Sequence, residues 1–326
     1  MSKGMREKLV MIQGEYELAG TMTLPETEAR NRVPAILILP GTGGSDRDGN
    51  RGGLDMNIYK ELAEYLTCLG FATLRFDKRG SFESKGDVWK RGMWDLVDDA
   101  VACLRFLKQQ PAVDSEQVII LGHSEGAILG PAAYAKEPVA GMMLLGGGAM
   151  CLRDVMVWQR RQAYDALERA GGFKGWLVRK LNVAVKSEKK VEKFEKKVTE
   201  TNKDYIRLMG KKFPAKWMRE HYDYDAGIDM ARVECPVLLA IGDKDAQAPL
   251  ISLERAAELA QGEAELHVIP NMTHILKRWD DQFDAAGMIK IYKQQAQQPL
   301  QQELLDVLEQ WLAKHFKQEK PAQQAN

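Results

Sequence analysis

Ser124 stands between Gly122 and Gly126 in "VIILGHSEGAILGPAA" (118–133), where an apolar run ends and an alanine-rich stretch begins. A serine hydroxyl is a poor nucleophile until a neighbouring base takes its proton. The G-x-S-x-G spacing solves the placement problem. A strand must turn abruptly into a helix so that the side chain stands clear, and the flanking glycines let the backbone pass closely. The five letters alone would equally suit a glycine-rich turn with a capping serine, so the partners that a nucleophile needs decide between the two.

A base and an acid are both available in the required order. Sites of this kind take the acid and then the histidine from loops after later strands. Of five histidines, His123 adjoins the serine on a sharp turn and is expected to point elsewhere. His221 falls in a charged helical stretch, His267 within a strand and His315 near the end of the chain. His274, in the loop "NMTHIL", follows a strand's carboxyl end, where sites on open α/β sheets form. It is read as the base. "VLLAIGDKD" ends the preceding strand with Asp243 and Asp245. Asp245, the third residue past Gly242, is favoured as the acid that holds the imidazole's tautomer, with Asp243 capping the turn.

The oxyanion that forms on acyl transfer needs amide donors. One is the amide of Glu125, at the start of a helix, where N–H groups lack partners and the dipole helps. The other is expected from Thr42 or Gly43 in "PGTGGSDRDGN". That loop fails as a phosphate cradle, because no third glycine and no G-K-[ST] follow. As a calcium loop, Asp46-x-Asp48-Gly49-Asn50 has a misplaced glycine and no terminal glutamate. No metal or cofactor is therefore assigned.

The elements that must position these groups read as alternating strands and helices. Residues 6–24 form a hairpin about Gly14-Glu15, and strands follow at 33–40, 71–77, 117–122 and 139–147. Helices are expected between them, including 125–136, which Pro131 would kink. The pattern resumes with strands at 235–245 and 264–270, a helix over 250–261 and a last helix from Pro299 to Lys317, ahead of a frayed polar tail. Residues 280–298 read as one short helix and a loop. Such alternation implies a mostly parallel sheet with helices on both faces. Residues 151–230 break it and read as a charged, helical cap insertion, with Val191, Phe194 and Val198 on one helix face. The core is then 1–150 with 231–326. Trp158, Phe173, Trp176 and Trp217 either roof an acyl pocket or form the insertion's own core.

Composition excludes several function classes. The 326 residues carry 46 Lys+Arg against 46 Asp+Glu, so no global field favours nucleic acid or an anionic membrane. The stretch from Gly141, "GMMLLGGGAMCL", is too short to span a bilayer. The charged N-terminus lacks a signal's apolar region, which with four scattered cysteines (read as reduced, mostly buried thiols) makes the cytoplasm the expected compartment.

Together "GHSEG", "GDKD", "NMTH" and "PGTGGSDRDGN" resemble the α/β-hydrolase superfamily, its serine esterases and the dipeptidyl-peptidase and serine-aminopeptidase branch. The resemblance covers about 33–150 and 233–317, and "LRFDKRGSFES" is similar to that family's strand and Arg-Gly turn. Two departures stand out. Pro40 replaces a histidine usual before the oxyanion glycine, and Phe82 replaces a common glycine, which implies an unusual pocket wall there. The absence of a preceding propeller favours an esterase of small to medium esters over a peptidase. An aminopeptidase or amidase is the first alternative, and an inactive ligand-binding homologue the second. Homodimerisation through the insertion is left open.

Overall fold

The computed structural model describes residues 4–26, 32–169, 180, 183–283 and 287–316. Strands β1 (Met5–Gln13) and β2 (Glu17–Pro25) form the expected hairpin, paired antiparallel from Met5 with Pro25 to Gln13 with Glu17. Strands β3 (Val33–Leu39), β4 (Ala72–Phe76), β5 (Val113–His123) and β6 (Gly141–Leu145) follow, with β9 (Val237–Gly242) and β10 (Ala264–Ile269) completing the main sheet. Its order is β1-β2-β4-β3-β5-β6-β9-β10. From β4 to β10 all pairings are parallel, and β2 joins β4 antiparallel.

Parallel strands need crossovers, and helices supply them. α1 (Ile58–Cys68) links β3 to β4, α2 (Met93–Lys108) links β4 to β5, and α3 (Glu125–Lys136) links β5 to β6. α3 runs through Pro131 as one element. Both faces of the sheet are therefore covered, which is why β3 and β6 are buried at every position. The two-residue period divides β3: Ala35, Leu37 and Leu39 enter the core shared with α2 and α3, while Ile36 and Ile38 meet α1 on the other side.

After β6 the chain leaves the sheet for α4 (Leu152–Arg169) and α5 (Val183–Thr199), then β7 (Tyr205–Leu208), β8 (Lys211–Pro214), α6 (Ala215–Asp223) and α7 (Ala226–Met230). The β7–β8 hairpin corrects the all-helical reading of this stretch. Met209 and Gly210 both take positive φ, 49° and 78°, which suits a tight two-residue turn. Val198, Ile206, Ala215, Met218 and Tyr222 gather into a small core here, with Phe194 and Trp217 packed against it. Val198 is fully buried, as the periodicity of α5 predicts. Phe173, Trp176 and the polar tail lie outside the described residues, and Trp158 is half-buried.

α8 (Leu250–Leu259) connects β9 to β10, and α9 (Met288–Gln295) and α10 (Gln302–His315) end the described chain. α10 lays Leu304, Leu308, Trp311 and Leu312 on the face opposite α2 and α3. Among the described residues no helix is long and apolar enough to cross a membrane. Of the four free cysteines only Cys103 and Cys235 are buried. Cys68 is exposed and Cys151 half-buried, so the expectation of mostly buried thiols holds for two.

Candidate active site

The carboxyl ends of β3, β5, β6, β9 and β10 converge. β3 lies between β4 and β5, so the chain reverses its direction across the sheet there, and open α/β sheets form their crevices at such points. Ser124 follows β5 with φ 55° and ψ −112°, a backbone conformation that side chains rarely adopt. The glycines around it have no room for a side chain. A Cβ on Gly122 would lie 2.3 Å from the Gly126 carbonyl oxygen, and one on Gly126 would lie 2.1 Å from that of Leu39. α3 thus starts in backbone contact with the end of β3. The turn is fixed by Ser124 N–H donating to Leu145 O at 2.8 Å.

His274 lies in the loop after β10, and its Nε2 accepts from Ser124 Oγ at 2.9 Å. Its Nδ1–H donates to Asp245 Oδ2 at 2.8 Å. Asp245's other oxygen takes the amides of Gln247 and Ala248, at 2.7 and 3.0 Å, so its sealed side chain is fixed at both oxygens. Of the two carboxylates after β9, Asp245 reaches the imidazole, and Asp243 points to solvent with its amide bonded to Ile269 O. Such a chain can draw a proton from a hydroxyl and return it to a leaving group.

Gly146, at the end of β6, completes this side. Its φ is +59°, and a Cβ there would press at 3.2 Å on both Asp245 Oδ2 and His274 Nδ1. The run Gly146–Gly148 was the available signal, since three glycines directly after a strand mark a close approach of backbone to something else.

His123 plays a part that its neighbourhood to Ser124 did not suggest. Its Nε2–H donates to the His274 carbonyl at 2.9 Å, which leaves Nδ1 to accept from Tyr59 Oη–H at 3.0 Å. Tyr59 Oη in turn accepts from the Gly41 amide at 2.7 Å. One buried relay therefore joins the loop after β3 to the backbone of His274. Burial, reinforced by the adjacent His274 imidazole, pushes the His123 pKa down to about 3, so the ring is neutral near pH 7.

On the other side of Ser124 the Glu125 side chain turns inward and is buried. It accepts from Lys78 Nζ and from Trp217 Nε1, the latter at 2.6 Å. His221 Nε2 lies 3.2 Å from Glu125 Oε1 without hydrogen-bond alignment. Burial raises the Glu125 pKa, but the Lys78 charge and then the nearby His221 outweigh it and leave the carboxyl well below its ordinary range. Lys78 also donates to Gly41 O at 2.6 Å. Thr42 and Gly43 follow at once, and Thr42, Ser124, Glu125 and His274 all line one cavity of about 880 Å³.

That cavity is largely apolar. Met56, Met150, Met156, Met218 and Met288 contribute to its wall, together with Phe194, Phe213 and Trp217. Phe82 corrects an expectation. It does not line the cavity but is 60 % exposed at φ 47°, the left-handed conformation that explains why glycine suits the position. The loop residues weighed for calcium are occupied otherwise: Asp46 accepts the amides of Asp48 and Asn50, and Asp48 pairs with Arg75. Among the described residues, the cluster able to converge on a metal is Glu263, Glu265 and His315. It stands by the start of β10, at the sheet's other end, and both carboxylates already pair with Lys314.

The sequence matches the family model described as "Serine aminopeptidase, S33" over residues 50–278. It is 27% identical over 241 residues to Esterase EstD of Thermotoga maritima, covering 74% of this chain and 52% of EstD. The chain thus spans about half the length of that relative. Among solved structures, Est1E from Butyrivibrio proteoclasticus with ferulic acid bound superposes with a TM-score of 0.58 at 18% identity, covering 87% of this chain and 96% of that one. The α/β hydrolase GrgF from a Penicillium species gives 0.59 at 15% identity, over 95% and 99%. At these identities the likeness is one of fold.

Proposed function

The chain belongs to the serine aminopeptidase, S33, family of α/β-hydrolases, and on that premise we propose that it is a serine hydrolase that cleaves small to medium carboxylic esters. The observation that carries the reading is the unbroken Asp245–His274–Ser124 contact, at 2.8 and 2.9 Å, opening into an apolar cavity.

In this reading Ser124 Oγ attacks the ester carbonyl as His274 Nε2 takes its proton. Asp245 holds the ring with Nε2 free to accept and stabilises the imidazolium that forms. The oxyanion is met by the amide of Glu125 and by that of Thr42 or Gly43. His274 then protonates the leaving alkoxide, and water repeats the sequence on the acyl-enzyme. Residues 151–230 serve as the cap that roofs the acyl group, through Phe194, Phe213 and Trp217.

The family's description favours a second reading, the removal of an amino-terminal residue from a peptide. An aminopeptidase must seat a free ammonium, and a carboxylate in the cavity is the natural counter-charge. Among the described residues lining the cavity, the carboxylate is Glu125, already held by Lys78 and Trp217. Esters need no such partner, and the EstD relationship points the same way.

A panel of p-nitrophenyl esters of rising acyl length, run beside an aminoacyl-anilide, tests the choice. Ester turnover should dominate, and Ser124→Ala should lower it at least about 10⁴-fold without unfolding the chain. Full activity in that variant ends the proposal. Stoichiometric labelling of Ser124 by a fluorophosphonate would separate an active hydrolase from an inactive binding homologue.

A further inference from the structure

Lys78 sits in the Asp77-Lys78-Arg79-Gly80 turn after β4, with 3 % of its surface exposed. Its neighbours in that turn hold surrounding structure: Asp77 binds the Arg47 amide, and Arg79 forms a two-point pair with Asp99 on α2. Lys78 alone points at the candidate site. Its ammonium donates to the carbonyl of Gly41 and to the carboxylate of Glu125, groups that lie on different segments. Those two segments are the ones expected to lend amides to the oxyanion.

We propose that Lys78 is the positioning residue of the oxyanion hole, and that it selects Thr42 over Gly43 as the donor from the loop. The inference rests on the serine-hydrolase reading. Its geometric basis is the planarity of the peptide unit. Gly41 C=O and Thr42 N–H belong to one trans amide and point in opposite directions. An ammonium that fixes the carbonyl therefore fixes the direction of the Thr42 N–H, with no contact to it. Tyr59 Oη holds the same residue from its amide side at 2.7 Å, so Gly41 is pinned at both its polar atoms. The Gly43 amide belongs to the next peptide unit, and among the described residues no backbone donor anchors the Thr42 carbonyl that shares it.

At the second segment Lys78 pulls on the side chain of the residue whose own amide is the other donor. One cation thus ties the two halves of the hole together. It also polarises the Gly41–Thr42 amide, since a carbonyl that accepts from a cation makes the N–H across the same unit a stronger donor. Trp217 Nε1 binds the other oxygen of Glu125 from α6, so the roof of the cavity joins the same assembly. A buried ion pair contributes little stability over apolar residues of the same shape, which makes a geometric role the better account of this one.

The test is steady-state hydrolysis of p-nitrophenyl butyrate by Lys78→Met, together with its inhibition by an alkyl trifluoromethyl ketone, whose serine adduct carries the oxyanion. The kcat should fall by about 10²–10³-fold, the usual effect of losing one such donor, while KM changes by less than about threefold. Ketone affinity should weaken by the same factor as kcat. Lys78→Met leaves Glu125 buried without its cation, so Lys78→Met/Glu125→Gln is measured beside it. A folded double variant with kcat still depressed supports the positioning role. Parental kcat in either folded variant overturns it, as does a double variant that does not fold, since Lys78 would then serve stability. Fluorophosphonate labelling of the parent and the Ser124→Ala control run in parallel. Failure there overturns the serine-hydrolase reading itself, whereas failure of the Lys78 variants alone leaves that reading standing.

Discussion

The two sides of Ser124 are built on different plans. On one side the work falls to side chains, with Asp245 and His274 reaching the hydroxyl through two hydrogen bonds of ordinary length. On the other side the groups proposed to work are backbone amides, and the side chains of Lys78, Tyr59 and Glu125 bond to the segments that carry them. A side chain can be exchanged one at a time, and its chemistry is written in its letter. An amide is the same at every residue, so its direction depends on what holds the peptide unit. The first side should therefore fail abruptly when one letter changes, and the second should fail by degrees.

The largest expected effect lies on the side-chain half. Asp245→Asn keeps the shape but offers Nδ1 the wrong partner, and kcat should drop by about 10⁴-fold with the fold intact. A loss below about tenfold, measured on the same ester, would erase the contrast between the two halves. Gly146→Ala should act next. It adds a methyl at φ +59° that presses on Asp245 and His274 together, and kcat should fall by about 10–100-fold as the pair is pushed off line. Crystallography of the variant should show the Asp245–His274 contact displaced, and an undisturbed pair with parental kcat would count against this account.

The smallest effect concerns the relay between the halves. His123 is held at about 3 in the folded chain, against about 6.5 for an unfolded histidine. Between those values the unfolded chain binds the extra proton, so stability rises with pH there and is lost as pH falls. Urea unfolding at pH 6.5 and pH 4.5 should show the parent losing about 1–2 kcal/mol more than His123→Asn does. Equal losses in the two proteins would take the neutral His123 out of the relay.

The side-chain half was also the legible half. Ser124, Asp245 and His274 come in the right order, each just past a strand whose apolar run is plain, with only five histidines to choose from, and Asp245 was distinguishable from Asp243 by its distance past Gly242. The sheet was legible for the same reason, since buried parallel strands read as continuous apolar runs. On the amide half the donors were expected at Glu125 and at Thr42 or Gly43, but the side chains that hold those segments were not legible. Lys78 meets Glu125 47 positions later, and Trp217 meets it 92 positions on, so no local window contains the contact. In isolation Lys78 reads as a surface charge in a turn, and His123 as a bystander. The β7–β8 hairpin escaped notice because its strands have four residues each, carry Arg and Lys, and meet at Met209-Gly210 rather than a familiar turn pair.

The five methionines in the cavity wall carry a consequence of their own. An unbranched thioether has three rotatable bonds and a polarisable sulfur, so a surface rich in it reshapes itself around whatever fills it. On the proposed ester reading the chamber beside Ser124 would then have no single mould: guests of unequal outline would fit, sorted by length and wetness more than by contour. The same sulfurs become polar sulfoxides under peroxide. Oxidative stress would then dampen the chamber and weaken its hold on greasy guests while every atom that makes and breaks bonds stayed intact.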